Sequence, residues 1–387
     1  MRIGIDATNI GGGGGITHLK EILINFDGGF FKDQITKIVI FSSQKVLDQL
    51  DVHNSIIEMK THHNLNSRLL NRVFFQLTQY DKIIKDHCDI LFSITGDYIG
   101  KFRLVVGMSQ NMLLYERDIW KEIKHPKEII RFWINFKKQQ KCFKNSSAII
   151  FLSEYAKNYI SSVLDIDSKY KKIIYHGISP RFLGTVKEQK PIDFYGFKKP
   201  FKLLYVSTVH VYKHQCQVIK AVVALRKKGI PVQLDLVGSV IFKPYGEKMF
   251  KIIAREDPKQ KFIKFHGHVP YDNIESFYLK TDGIVFASNC ENMPNILIES
   301  MASGVPVISS NKQPMPEFLK YGGFYFNSLS VDSIVKNIEK LILSPKIRQS
   351  MAKINIDEVK LYSWRKTSKD TFKFILEIYN NNNNKKC

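Results

Sequence analysis

Short runs of β-branched and aromatic residues recur along this chain at intervals long enough to hold a crossover helix, and that rhythm constrains the fold more than any other feature. In the first half the runs are RIGID, TKIVIF, SIIEMK, DILFS, RLVVGM and SAIIFL. Strand-sized apolar runs are expected where helices cover both faces of a sheet, so the pattern predicts a parallel α/β layer. After KKIIYHGISPRF the rhythm pauses in a polar stretch, TVKEQKPIDFYGFKKP, then resumes with FKLLYVS, VQLDLVG, KFIKFHG, GIVFAS and VPVISS. A chain of 387 residues exceeds what one core usually supports. We therefore read two Rossmann-like domains, 1–182 and 200–362, with a linker over 183–199. YSWRKTSKDTFKFILEIY predicts a closing helix over 363–379, with Ser363 as N-cap and Phe372, Ile375 and Tyr379 on its apolar side, packing back toward the first domain. Residues 380–387 predict a disordered tail.

Composition narrows the function classes. The 58 Lys and Arg against 36 Asp and Glu give a formal charge of +22, which favours anionic partners: phosphates, nucleic acid or an acidic membrane surface. A specific nucleic-acid role is the rival class, but the aromatics sit in periodic core patterns and no recognisable RNA or DNA module is present. MRIGIDATNI reaches Asp6 with no signal-peptide core, so export is not expected. No run approaches the roughly 18 to 20 apolar residues of a membrane span, and any membrane contact is expected to be peripheral. Cys88, Cys142, Cys216, Cys290 and Cys387 are scattered without a CxxC pair, which fits a reducing cytoplasm and argues against a thiolate metal site.

Chemistry concentrates in GIVFASNCENMPNILIESMASGVPVISS, where a strand, a polar loop, a short helix and a further strand follow with almost no slack. Glu291 lies in the loop past the strand's carboxyl end, and Glu299 falls in a helix expected to begin near Asn295 and stop before Gly304. The first-turn amides around Met293, Pro294, Asn295 and Ile296 attract a phosphate through their unpaired N–H groups and the helix dipole. Carboxylates flanking an anion seat suit a hydroxyl-rich ligand, because ionised Glu only accepts hydrogen bonds and sugar or ribose hydroxyls donate them. Both acids are also solvated helix-flanking charges on the plainer reading.

Glu291 and Glu299, followed by Ser300-Met301-Ala302-Ser303-Gly304-Val305-Pro306-Val307, resemble the signature of the family-four retaining glycosyltransferases, glycosyl transferases group 1. Weaker similarity reaches SNKQPMPEFLKYGGFYF, VVGMSQNMLLYE, AIIFLSEYAK, IIYHGISPRF and LYVSTVHVYKH, so the resemblance spans most of the chain. It implies a GT-B fold, two Rossmann-like domains facing a cleft, and transfer of a hexose or related sugar from a nucleotide-sugar donor. The implied acceptor is a glycan or a lipid-diphosphate-linked chain, as in cell-surface polysaccharide or lipopolysaccharide synthesis. Glu291 would then hold hydroxyls of the donor sugar, Glu299 the ribose hydroxyls, and the amides between them the sugar or diphosphate. A sugar-nucleotide epimerase or phosphorylase of the same fold is the nearest enzymatic alternative.

Further candidates follow from position. Lys213, six residues after Ser207 at the end of LLYVS, can stabilise a diphosphate leaving group, against the plain reading of a surface lysine. The family pairs this lysine with an Arg where this chain has Thr208; Lys202, His210 and His214 are the nearby basic residues that could compensate. Gly238, which ends the strand VQLDLVG, is a further candidate for donor binding. In Gly11-Gly12-Gly13-Gly14-Gly15 the backbone can approach a ligand, and the family places Gly13, Gly14 and Gly15 near donor phosphate or acceptor; a surface loop is the alternative. Asn111 stands near where many relatives carry a His, which suits a retaining mechanism in which Asn111 orients and the departing phosphate takes the acceptor proton; a turn role is equally open. His176-Gly177 reads as a turn, and Glu317 as a helix-opening acid. Asp165-Ile166-Asp167 lacks a neighbouring ligand set, so no catalytic Mg²⁺ or Mn²⁺ is expected, nor any cofactor beyond the donor. In 120–144, Pro126 opens a helix with Ile129, Phe132, Phe136 and Phe143 on one face, which either packs on the sheet or rests on an anionic membrane.

Overall fold

The computed structural model describes residues 1–11, 13–67, 69–166 and 169–384 and divides into two compact units. The first holds Met1–Arg117, Lys124–Gly177 and the segment from Tyr362 onward; the second holds Ile178–Leu361 together with Asp118–Ile123.

The first unit is built on a seven-stranded sheet. Its strands are β1 (Arg2–Asp6), β2 (Lys37–Phe41), β3 (Ile57–Lys60), β4 (Ile90–Ser93), β5 (Val105–Met108), β6 (Ala148–Phe151) and β7 (Tyr170–Ile173), in the order β3-β2-β1-β4-β5-β6-β7. All pairings are parallel, with Ile3 opposite Ile38 on one side and Ile90 on the other. The β4, β5 and β6 strands are buried at every position, as continuous apolar runs between two helical layers must be.

The second unit repeats the plan with six strands: β8 (Phe201–Val206), β9 (Val232–Val237), β10 (Ile263–Phe265), β11 (Gly283–Phe286), β12 (Val307–Ser310) and β13 (Gly323–Phe326). Their order is β10-β9-β8-β11-β12-β13, again parallel throughout. The chain winds outward from β8 to β10, then returns to lay β11 on the other side of β8. The loops leaving the carboxyl ends of β8 and β11 therefore run in opposite directions and leave a crevice, the place where ligands of open parallel sheets bind. The β13 strand was not anticipated: its run GFYF is only four residues long and opens on a glycine, and three of its four positions are half-buried.

Two sequence expectations need correction, and one open choice is decided. Residues 183–199 are not a free linker. Gly184 and Lys187 donate backbone hydrogen bonds to Ala302 O (2.9 Å) and Gly304 O (3.1 Å), and the buried Arg348 guanidinium donates to Gln189 Oε1 at 3.0 Å, so the segment is strapped to the second unit. The closing helix runs Trp364–Asn384, beyond the expected end at 379 and through most of the expected tail, whose residues 385–387 lie outside the described residues. It packs within the first unit: Ser368 Oγ donates to Ile22 O at 2.6 Å, and the Phe372 ring meets Phe26 edge-on at 4.8 Å. Finally, on the helix Pro126–Asn145, Phe132, Phe136 and Phe143 are buried, which assigns that face to the core rather than to a membrane.

Candidate active site

Lys213 reaches its position through a short 3₁₀ turn, Val211–Lys213, that follows β8. The turn is pinned from below, since the Tyr205 hydroxyl on β8 donates to Lys213 O at 2.6 Å. The loop after β11 is tied to the same turn by the Asn289 amide, which donates to Tyr212 O at 2.9 Å. These two anchors bring Lys213 and Glu291 together across the β8/β11 crevice, where the ammonium donates to a Glu291 carboxylate oxygen. The side chains are 8% and 16% exposed. With water largely displaced, the attraction is stronger than for a surface pair, and each charge depends on the other to offset its desolvation. The Tyr212 and Phe286 rings lie 5.1 and 5.7 Å from the ammonium.

The short helix spans Asn295–Ala302, as the sequence predicts, and Met293 and Pro294 lie buried just before it. Pro294 O accepts the Ile298 amide at 3.1 Å, whereas the Ile296 and Leu297 amides meet no acceptor among the described residues. Two first-turn donors are thus available beside the Lys213–Glu291 pair's loop, with the positive end of the helix dipole behind them.

Glu299 projects from the same helix into a different setting. It is 9% exposed and receives the Tyr271 hydroxyl at 3.0 Å. Burial pushes its pKa up to about 7, with the tyrosine hydrogen bond only partly opposing that rise. The two glutamates thus belong to separate pairs: one ionic, one a neutral hydroxyl on a carboxyl group poised near neutrality. Tyr271 carries the Arg181 guanidinium over its ring at 5.4 Å, and its edge meets Phe182 at 5.3 Å. Sequence reasoning missed Tyr271, because no spacing rule links the start of the helix Tyr271–Leu279 to Glu299.

None of the basic residues considered as substitutes for the family arginine fills that role visibly. Lys202 lies four residues before the end of β8, exposed in a separate groove with Gln233, Lys264 and Lys280. His214 is buried, and burial lowers its pKa to about 4, so it is uncharged at neutral pH. His210 is buried against the Tyr212 and Phe242 rings at 4.6 and 5.1 Å. Thr208 itself is half-buried, its carbonyl accepting Gln215 Nε2 at 2.9 Å. Gly238 has φ +144°, and a Cβ there would meet Ser207 O at 2.1 Å; its amide is already given to Gly267 O at 2.8 Å. That glycine lets the ends of β8 and β9 close, and its N–H is not available to a phosphate.

The remaining candidates lie in the first unit, apart from Glu317 in the second. Gly14 and Gly15 open the helix Gly14–Ile24 behind Gly13 at φ +61°, and a Cβ on Gly14 would meet nothing within 4 Å; Gly12 lies outside the described residues. Asn111 is exposed, and its Oδ1 accepts the Leu113 amide at 3.0 Å, capping the turn Met112–Leu114. His176 is buried, its ring 4.5 Å from that of His18. Asp165 is a left-handed cap on the helix Glu154–Leu164, and Asp167 lies outside the described residues. Glu317 stands in the first turn of Met315–Leu319. Among the described residues no cluster of three metal-ligating side chains occurs.

Residues 187–357 match the family model for glycosyl transferases group 1. That match covers nearly all of the second domain and somewhat under half of the chain. Full-length likeness comes from solved structures: Anabaena HepE in complex with UDP and glucose superposes with a TM-score of 0.72 at 15% identity, covering 97% of this chain and 99% of that one. WaaG, a glycosyltransferase involved in lipopolysaccharide biosynthesis, gives 0.66 at 13% identity, covering 97% and 99%. The fold is therefore GT-B. An uncharacterized glycosyltransferase of Methanocaldococcus jannaschii is 24% identical over 245 residues, 60% of this chain and 61% of that protein. The O-antigen chain mannosyltransferase B of Escherichia coli is 24% identical over 119 residues, 31% of each. The chain thus spans less than two thirds of these curated relatives.

Two measurements follow for this site. Lys213→Met and Glu291→Gln should each lower unfolding free energy by about 1–3 kcal/mol, and the double variant should lose clearly less than the sum; strictly additive losses in denaturant titrations would disprove the pairing. For Glu299, the folded state keeps its proton while the unfolded chain releases one as pH rises from the usual 4.5 to about 7, so stability falls through that window. A rise of that size corresponds to on the order of 3 kcal/mol. Glu299→Gln should therefore match the unaltered protein near pH 4.5 and melt higher at pH 8, and a difference in melting temperature that does not change with pH would contradict the assignment.

Proposed function

We propose that the chain is a metal-independent, retaining glycosyltransferase that moves a hexose or related sugar from a nucleotide-sugar donor to a glycan or lipid-linked acceptor. The observation that carries the reading is the Lys213–Glu291 pair at the β8/β11 crevice, beside a helix start with two amides to give. The bound UDP of the HepE structure supports a nucleoside diphosphate as the ligand class, and the polysaccharide-related names among the relatives support the acceptor class.

In this reading the donor diphosphate lies on the Ile296 and Leu297 amides and draws Lys213 away from Glu291. Glu291 is then released to accept hydroxyls of the donor sugar, while the ribose hydroxyls donate to Glu299. Hydrogen-bond donors favour the charged carboxylate, so ribose binding near neutral pH expels a proton from Glu299. As the sugar–phosphate bond breaks, negative charge grows on the diphosphate, where Lys213 and the helix dipole stabilise it more than they do the ground state. The acceptor hydroxyl attacks from the departing side and gives its proton to the leaving phosphate, which requires no imidazole at Asn111. Positive charge at the leaving group comes from the protein, so the scheme calls on no metal. The proposal includes a cytoplasmic location, supported by the free thiols of Cys88, Cys142, Cys216 and Cys290; no helix among the described residues is long and apolar enough to cross a membrane.

A thermal-shift screen of UDP-, GDP- and other nucleotide-sugars is the direct check. One base should raise the melting temperature by several degrees at millimolar ligand, and Glu299→Ala should reduce that shift strongly. A full shift in Glu299→Ala would reject the ribose assignment, and accumulation of free epimerised nucleotide-sugar without acceptor would replace transfer with epimerisation.

A further inference from the structure

The helix Pro126–Asn145 buries one face and leaves a second one bare. Phe132, Phe136, Gln139, Cys142 and Phe143 are covered. Ile130, Trp133 and Ile134 are 59%, 54% and 44% exposed, and Lys137, Lys141 and Lys144 are exposed beyond them. Counted from Ile130 these side chains recur at i+3, i+4, i+7, i+11 and i+14, which keeps all six on one stripe of a helix. The stripe has an apolar end and a cationic end. Its helix holds a single carboxylate, Glu128, which the spacing puts on the other side, paired with Arg131. None of Lys137, Lys141 and Lys144 makes an ion pair among the described residues; Lys137 lies 5.9 Å from the Trp133 ring centre.

We propose that the stripe formed by Ile130, Trp133, Ile134, Lys137, Lys141 and Lys144 docks the protein on an anionic lipid bilayer. Three bulky apolar side chains within two turns supply the insertion, and an indole is the ring best suited to the headgroup boundary. The three lysines continue along the same line, where they meet phosphate headgroups without acid competition. A second copy of the same face offers no carboxylate for those lysines, so charge complementarity selects the lipid surface. This is not the face marked by the sequence pattern, whose phenylalanines are used by the core. The inference goes beyond the sugar-transfer reading and does not rest on it.

Trp133 supplies the probe. Of the three tryptophans, Trp120 and Trp364 are 9% and 7% exposed, against 54% for Trp133. Vesicles of phosphatidylcholine with about 30 mol% phosphatidylglycerol should shift Trp133 emission to the blue, expose it to quenching by brominated lipid and sediment the protein. Ile130→Ser/Ile134→Ser and Lys137→Glu/Lys141→Glu/Lys144→Glu should each reduce the bound fraction about tenfold at constant lipid, with unchanged melting temperature. Pure phosphatidylcholine should hold far less protein. The proposal is overturned if emission stays fixed while protein sediments with vesicles, if both variants bind as the unaltered chain does, or if sedimentation velocity shows a dimer that Trp133→Ser dissolves. No nucleotide-sugar enters the assay, so its result is independent of whether the donor assignment holds.

Discussion

The second domain turns on one ion pair placed by topology. Because the sheet winds outward from β8 and returns beside it with β11, the segments leaving those strands are neighbours in space although Lys213 and Glu291 are 78 residues apart in sequence. Two backbone-level anchors, Tyr205 to Lys213 and Asn289 to Tyr212, fix both ends of the pair. A cation and an anion removed from water in this way compensate each other, and neither has a second ionic partner among the described residues. In the proposed scheme a diphosphate, which carries more charge than one carboxylate, displaces Glu291 from the ammonium.

The surrounding residues divide the electrostatic work. Glu291 stays with a cation, while Glu299 sits in a site dry enough to hold a proton close to neutral pH, with only the Tyr271 hydroxyl on it. Two acids in one short stretch of chain therefore sit in different surroundings, one against an ammonium and one buried under a tyrosine hydroxyl. The absence of an arginine at Thr208 leaves Lys213 as the principal local cation, since His214 is kept neutral by burial and Lys202 faces another groove. In the proposed scheme the helix-start amides of Ile296 and Leu297 carry correspondingly more of the diphosphate's charge.

Much of the fold was legible because apolar runs and turn residues are local signals: β1 matches RIGID, and the helix after Glu291 starts at Asn295 as its small residues and Gly304 foretold. What was not legible depended on long-range contact. The stretch 183–199 reads as polar and Pro-containing, like a linker, and only its hydrogen bonds to Ala302, Gly304 and Arg348 reveal a strap. The Tyr271–Glu299 bond joins two helices with no shared spacing. Gly238 reads as a donor-binding candidate from its place at a strand end, but a carbonyl 2.1 Å from any Cβ gives it a packing reason instead. The helix Pro126–Asn145 shows the same limit: periodicity found an apolar face, and only the packed sheet decides which apolar residues remain outside.

Calorimetric titration of uridine and guanosine diphosphates against their monophosphates is the most direct measurement of the central claim that Lys213 exchanges Glu291 for a diphosphate. The account predicts that the unaltered protein prefers the diphosphate of its base and that Lys213→Met cuts that preference by about tenfold or more, while affinity for the monophosphate changes little. An equal diphosphate preference with and without the Lys213 ammonium would contradict it.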